Sequence, residues 1–273
     1  MINLKAKWAA GPYIVWMILF TIIPMLMILY YAFTDNNGAF TFENMVSAWD
    51  YVPTLIRSIW LALIATVICL IMAFPFAYSI SRKPMSKQKM FVMLVMLPMW
   101  MNFLLRTHAL AQLFEDNGII NTVLQSIGIG RIQMMGTEFA VVVGMVYNFL
   151  PFMILPLYSI MTKIDQSLVE SAHDLGANNI QVLFKILIPL SVPGIVSGIT
   201  MVFVPAVSTF VISKFLGGTD FYLIGDAIEA QILGNSYNLH TGSATSLILM
   251  VIVIITMLIF SRIDTEEVEE TLA

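Results

Sequence analysis

Charge is scarce in this chain. Only 11% of its 273 residues are Asp, Glu, Lys or Arg, while 59% are apolar; soluble domains carry roughly 25% and 45–50% of these. A water-soluble fold of this length cannot hide so much apolar surface, so lipid must serve as solvent for much of the chain. Cysteine is nearly absent. Cys69 stands alone inside an apolar run, which excludes an intrachain disulfide and reads as a small packed side chain. Signatures of chemistry are missing too. No G-x-x-x-x-G-K-[S/T] loop is present to cradle a nucleotide, and the Gly217-Gly218 pair is not followed by Lys. There is no H-E-x-x-H and no G-x-S-x-G. His173 has no second His or Cys at ligand spacing. The chain is therefore not expected to be an enzyme, to hydrolyse ATP itself, or to hold a metal or cofactor.

What is present is a succession of long apolar runs. A membrane-spanning helix needs about 20 such residues. Six stretches qualify: Gly11–Phe33, Arg57–Ile80, Met90–Phe114, Phe139–Met161, Lys185–Ile212 and Ala244–Phe260. The first is too long for a signal-peptide core and lacks a small-x-small cleavage site after it, so it reads as a retained helix. The runs recur from end to end, so the expected fold is all-α: one polytopic membrane domain over 1–273, with a core at about 54–262. The polar segments between runs are Thr34–Thr54, Ser81–Lys89, Glu115–Glu138, Thr162–Phe184 and Ser213–Ser243. Five of the six runs contain proline, at Pro24, Pro75, Pro98, Pro151 with Pro156, and Pro189, Pro193 and Pro205. Proline frees a backbone carbonyl and bends a helix, either as an ordinary packing kink or as a gate element. No internal repeat of the kind found in many secondary transporters is visible.

Basic residues set the orientation. With the amino terminus inside, nine basic residues face the cytoplasm (Lys5, Lys7, Arg82, Lys83, Lys87, Lys89, Lys163, Lys185, Arg262) and four face outward (Arg57, Arg106, Arg131, Lys214). Both termini are thus expected in the cytoplasm. The acidic tail, Asp264, Glu266, Glu267, Glu269 and Glu270, reads as solvated and frayed. The outer face carries nine acidic residues (Asp35, Glu43, Asp50, Glu115, Asp116, Glu138, Asp220, Asp226, Glu229) against those four basic ones. That excess would draw in a polycation, or it is a solvated face with no ligand role.

The segment Thr162–Phe184 carries the functional signal. Ser167 and Glu170 have the spacing of a capping box, which predicts a helix starting near Leu168. Gly176 suits the left-handed position that ends one. Leu168, Ala172 and Leu175 fall on one face at helical spacing, and Glu170, His173 and Asp174 on the other. A short helix of this kind lies on a membrane or docks in a groove on a partner. Its polar face is acidic, which favours a protein partner.

These residues carry a family resemblance. Glu170-Ser171-Ala172, three residues, Gly176, nine residues, then Ile186-x-Ile188-Pro189 resembles the EAA motif of type I ABC importer permeases, E-A-A-x3-G-x9-I-x-L-P. The chain departs from it at Ser171 and Ile188, both small changes in volume. Leu97–Arg106, Asn148–Tyr158, Asp174-Leu175-Gly176-Ala177 and Leu223-Ile224-Gly225, in that order, are similar to spermidine/putrescine ABC permeases of the PotB type. The resemblance implies the six-helix fold of MetI-like permeases in the bacterial plasma membrane. It makes 162–184 a coupling loop, with Glu170, Ser171, Ala172, Asp174, Leu175 and Gly176 at the surface of an ATPase. It implies a second related permease, two ATP-binding cassette subunits, an extracytoplasmic polyamine-binding protein, and spermidine or putrescine as substrate. ATP hydrolysis then lies on another chain, and transport proceeds by alternating access.

Candidate pathway residues are Trp100, Asn102, Tyr147 and Tyr158, the three aromatics able to meet an ammonium group through their ring faces; for any one ring, interfacial anchoring or core packing is the plainer reading. Asn102, Arg106 and His108 lie at membrane depth in the third run, about 18–27 Å above its cytoplasmic start at about 1.5 Å per residue. A charge there is a functional hypothesis by default, although Arg106 at an outer end can also snorkel or pair with an acidic neighbour. Other solutes, such as an iron complex or an oxyanion, stay open. A secondary transporter would need carboxylates near the midplane, and the sequence places none well inside an apolar run.

Overall fold

The computed structural model describes residues 11–218, 221–234 and 236–272. Lys5, Lys7 and Asp220, counted above for charge placement, lie outside the described residues. The chain is helical, with no strand among the described residues beyond an isolated bridge between Thr34 and Phe40. It divides into two compact units, 1–53 with 227–252 and 54–226 with 253–273.

Among the described residues, five helices are long and apolar enough to cross a membrane: Gly11–Ala32, Glu43–Ser81, Glu138–Met161, Asn179–Ser208 and Leu239–Phe260. A bent pair, Met85–Trp100 with Phe103–Ser126, supplies a sixth if counted as one span. In chain order we label α1 (Gly11–Ala32), α2 (Glu43–Ala48), α3 (Val52–Ser81), α4 (Met85–Met96), α5 (Phe103–Phe114), α6 (Ile119–Ser126), α7 (Glu138–Met161), α8 (Gln166–Asp174), α9 (Asn179–Val182), α10 (Ile188–Ser208), α11 (Val211–Leu216), α12 (Ile224–Ile232) and α13 (Leu239–Leu272).

Several sequence expectations need correction. The third run is not one helix. A 3-10 turn at Leu97–Trp100 and a break at Met101 and Asn102 turn the chain through 90°. Pro98 starts that turn, and Asn102 then caps α5 by accepting from the amides of Leu104 (2.9 Å) and Leu105 (3.4 Å). The depth assigned to Arg106 and His108 on a straight helix therefore does not hold. Within the polar segment Thr34–Thr54 the chain becomes helical at Glu43. The stretches 115–138 and 213–243 contain α6 and α12. The tail expected to fray has helical backbone to Leu272.

Proline acts in two ways. Before Pro24 and before Pro189 the helix widens into a π turn, at Ile18–Ile22 and Leu183–Leu187. Such a turn absorbs the missing amide without a free carbonyl aimed at lipid. At Pro75, Pro151, Pro156, Pro193 and Pro205 the helix continues through; Ser79 donates its hydroxyl to the Pro75 carbonyl at 2.7 Å.

In the larger unit α7 and α10 form the main helix pair. Gly194 and Gly198 of α10 allow the contact: a Cβ at either would press on Ile160 and the Pro156 carbonyl, or on Met153. Small residues four apart let helix backbones approach in lipid, where packing replaces the hydrophobic drive. Gly144 of α7 receives Leu216 and Ile212 of α11 in the same way. In the smaller unit Ala32, Ala48, Ala244 and Leu247 form a core. His240 and Tyr31 meet edge to face, and the His240 ring nitrogen lies 3.1 Å from the Tyr31 carbonyl.

Candidate functional site

The segment 162–184 folds as two short helices joined by a tight turn. Asp165 caps α8, its carboxylate accepting from the Ser167 amide at 2.9 Å. The predicted Ser167/Glu170 capping box does not form. Asp165 is the stronger, charged acceptor and starts the helix two residues earlier, which puts Glu170 in the second turn, out of reach of the cap. Glu170 instead accepts from Gln166 Nε2 at 2.8 Å. A reciprocal capping box does occur one turn later: Asn178 accepts from the Gln181 amide at 2.8 Å, and Gln181 accepts from the Asn178 amide at 2.9 Å.

Gly176 ends α8 as predicted. Its φ is +84°, its amide donates to the His173 carbonyl at 2.9 Å, and the Ala177 amide donates to the Ala172 carbonyl at 3.0 Å. This is the Schellman pairing, and a left-handed residue is needed to make it. The Ser167 amide also holds the Asp165 carboxyl below its ordinary value of 3.8, with the nearby Arg82 charge acting in the same direction.

α8 packs against its own chain through Val169, beside the expected docking face of Leu168, Ala172 and Leu175. Val169 packs with Val182 and Leu187 against Phe74 and Tyr78 of α3, and Ala172 joins them. Leu168 is 48% exposed and Leu175 89% exposed, while Glu170, Ser171 and Asp174 are exposed as well. The spacing of Leu168, Ala172 and Leu175 was legible, but Val169 is the residue that meets α3. Ile180 and Phe184 are also exposed, at 67% and 63%. The segment thus leaves Leu168, Leu175, Ile180 and Phe184 uncovered, together with the carboxylates of Glu170 and Asp174. Behind α8 lies an apolar cavity of about 680 Å³, bounded by Leu70, Phe74, Tyr78, Val169, Leu183 and Leu187.

A second site lies at the broken span. Arg106 is 5% exposed. Its Nε donates to Asn148 Oδ1 at 2.7 Å and its Nη1 to the Pro98 carbonyl at 3.0 Å, an oxygen that also accepts from the Met101 amide at 3.2 Å. Asn148 Nδ2 donates to the Gly144 carbonyl at 2.9 Å and to Thr107 Oγ1 at 3.3 Å. Arg106 thus neither snorkels nor finds an acidic neighbour: the turn at Asn102 aims it inward, where an amide and a carbonyl hold it. It borders a cavity of about 460 Å³ walled by Met99, Met101, Phe103, Phe149, Phe152 and Met201. Of the candidate pathway residues, Trp100 is 71% exposed and Tyr147 43% exposed, with the Tyr147 ring centre 5.8 Å from the Arg106 guanidinium. Asn102 is the cap of α5, and Tyr158 donates its hydroxyl to Gln88 at 2.9 Å. None of these four lines that cavity. His108 stacks obliquely near Phe215 and lies 3.3 Å from Gln112 Nε2.

Comparison with known proteins gives the family and the fold. Residues 90–264 match the family described as "Binding-protein-dependent transport system inner membrane component". The spermidine/putrescine transport system permease protein PotB of Haemophilus influenzae is 37% identical over 257 residues, 90% of each chain. PotB of Escherichia coli is 36% identical over 267 residues, 93% of this chain and 97% of that one. Among solved structures, a bacterial ABC transporter that imports the acidic polysaccharide alginate superposes with a TM-score of 0.72 at 18% identity, covering 96% of both chains. The MetNI methionine ABC transporter gives 0.53 at 18% identity, covering 80% of this chain and 98% of that one. These two handle unlike solutes, so the shared fold does not itself fix what is carried.

Proposed function

The chain belongs to the family of binding-protein-dependent transport system inner membrane components, and from that premise we propose that it is the membrane-spanning subunit of a polyamine importer driven by ATP. The relatives that share more than a third of its residues over nine-tenths of its length are named as spermidine/putrescine permeases. In this reading α8 is the coupling helix. Leu175 and its apolar neighbours enter a groove on an ATP-binding cassette subunit, and the Glu170 and Asp174 carboxylates meet basic groups at the rim. The observation that carries the assignment is the 89% exposure of Leu175 on a helix whose ends are fixed by Asp165 and Gly176. A leucine that open to water, on a helix anchored from behind by Val169, fits a surface that is covered in an assembly.

The assembly comprises a second, related permease, two ATPase subunits and an extracytoplasmic polyamine-binding protein. Both termini and α8 lie on the cytoplasmic side. Closure of the ATPase pair draws on α8, the helices attached to it tilt, and the pathway opens outward to receive a polycation; hydrolysis resets it inward. Trp100, Asn102, Tyr147 and Tyr158 are candidates for the pathway wall. The test is uptake of radiolabelled spermidine into liposomes holding the whole complex, with binding protein outside and ATP inside. Uptake that requires ATP and the binding protein is expected. Uptake by this chain without an ATPase would overturn the reading, and uptake of an anionic solute alone would overturn the choice of polyamines.

A further inference from the structure

The end of the larger unit that carries α8 holds a string of polar contacts that docking alone does not use. Tyr158, near the end of α7, donates to Gln88 Oε1 of α4 at 2.9 Å. The same Gln88 amide donates to the carbonyls of Ser81 (3.0 Å) and Lys83 (2.7 Å), which close the turn between α3 and α4. Arg82, inside that turn, donates Nη1 to the Ile164 carbonyl at 3.1 Å, in the residue just before the Asp165 cap. Its guanidinium lies 5.1 Å from the Tyr78 ring centre. One continuous path thus runs from α7 through α4 and the α3 end to the segment that launches α8. Beside it, Val169 and Tyr78 make the apolar contact between α8 and α3.

Arg82 is poorly served as a stabilising residue. Its Nε and Nη2 are buried and have no partner, and buried donors left unpaired cost free energy. An apolar side chain of the same length would fill the space without that cost. What Arg82 supplies is a fixed link between the α3–α4 turn and the backbone before α8. We propose that Arg82 and Gln88 form a clasp that makes the ends of α3, α4 and α7 move with α8, so that they are positioning residues for coupling ATP hydrolysis to transport. The proposal rests on the reading of α8 as the ATPase-docking helix. Without the clasp, a displacement of α8 would reach α7 through the short connecting segment, and α3 through the apolar packing of Val169 and Ala172. Asp165 is close enough to feel the Arg82 charge, so a displacement of α8 that carried its carboxylate to the two unpaired guanidinium donors would pair them.

The experiment uses the complete transporter in liposomes and reads ATP hydrolysis and spermidine uptake together. Arg82→Met and Gln88→Leu are each expected to assemble and hydrolyse ATP close to the wild-type rate, while uptake per ATP falls about tenfold, within the usual range for a lost coupling between sites. Arg82→Lys, which keeps the charge and one donor toward Ile164, is expected to recover part of the ratio. An unchanged uptake per ATP in both Arg82→Met and Gln88→Leu would overturn the clasp. So would a proportional loss of assembly, hydrolysis and uptake, which would make the network merely structural. Failure of the docking reading shows differently: Leu175→Asp would then leave ATPase association intact, whatever the clasp variants do.

Discussion

Arg106 donates to Asn148 across a fully enclosed contact, Nε to Oδ1 at 2.7 Å, with the two side chains 5% and 0% exposed. The guanidinium partners named by geometry are neutral, an amide and the Pro98 carbonyl. A buried charge held this way depends on every one of them. Asn148→Leu is therefore expected to destabilise the chain by about 3 kcal/mol, the upper range for a hydrogen bond to a charged group. The double change Arg106→Met with Asn148→Leu is expected to cost less than the sum of the two single changes, because no stranded charge is left. Thermal unfolding in detergent, run as a double-mutant cycle, checks this; strict additivity would mean that the pair is not coupled.

The contact between α7 and α10 makes a separate prediction. A Cβ at Gly194 would lie 3.1 Å from both Ile160 Cγ1 and the Pro156 carbonyl. Overpacking a tight contact costs about 1–3 kcal/mol for a few extra methylenes. Gly194→Leu should lower the folded yield and the melting temperature, whereas Gly11→Leu, with nothing within 4 Å of its Cβ, should change neither. Equal melting temperatures for the two variants would count against close packing at Gly194.

The apolar runs were legible because length and hydropathy alone decide which segments can cross a bilayer. The end of α8 was legible at Gly176 because one backbone conformation there admits few other residues. The break at Met101 and Asn102 was not. The run Met90–Phe114 is uninterrupted in hydropathy, and the turn depends on Pro98 joined to a cap by Asn102, a polar residue that read instead as a pathway candidate. The inward course of Arg106 follows from that break and was hidden with it. A docking face for α8 was legible, but not the residue that anchors it, because Val169 and Leu168 are adjacent and both apolar. What chooses between them is Phe74 and Tyr78 of α3, nearly a hundred residues away. Gly194 and Gly198 were not read from the sequence; glycines four apart in an apolar helix are the pattern that admits a close helix contact, and nothing in the sequence says which helix meets them.

The cap of α8 is a carboxylate, so it responds to pH. The Ser167 amide keeps the Asp165 carboxyl below its ordinary 3.8. A group whose pKa is depressed on folding contributes stability above the unfolded value, lost as pH falls through the folded value. Hydrogen-exchange protection of residues 166–174 should therefore be flat from about pH 5 to 8 as regards this group and decline only in strong acid. Asp165→Asn retains an acceptor for the Ser167 amide and should keep the protection at neutral pH. Asp165→Ala should lose it there. Equal protection in the alanine and asparagine variants would mean that the cap does not hold the helix.

Leu175 and Glu170 separate packing from charge at the proposed ATPase surface. Leu175 is 89% exposed and touches little of its own chain, so replacing it should not disturb the fold. A leucine buried on docking contributes about 1.5–3 kcal/mol, and each 1.4 kcal/mol is tenfold in affinity. Leu175→Asp is therefore expected to weaken ATPase association by one to two orders of magnitude, about 10- to 100-fold, and further if the carboxylate is stranded in an apolar groove. Glu170 is bonded to Gln166 within its own helix, and Glu170→Gln keeps a side chain able to accept that bond while removing the charge. The helix should survive, and what changes is the charge presented to the partner. At a rim position the loss is mainly in association rate and salt dependence. Association measured by surface binding at low and high salt distinguishes the two residues. The Leu175→Asp defect should persist at both, and the Glu170→Gln defect should shrink as salt screens the wild-type interaction. A Glu170→Gln chain that binds the ATPase like wild type at low salt would leave Glu170 with only its helical bond to Gln166.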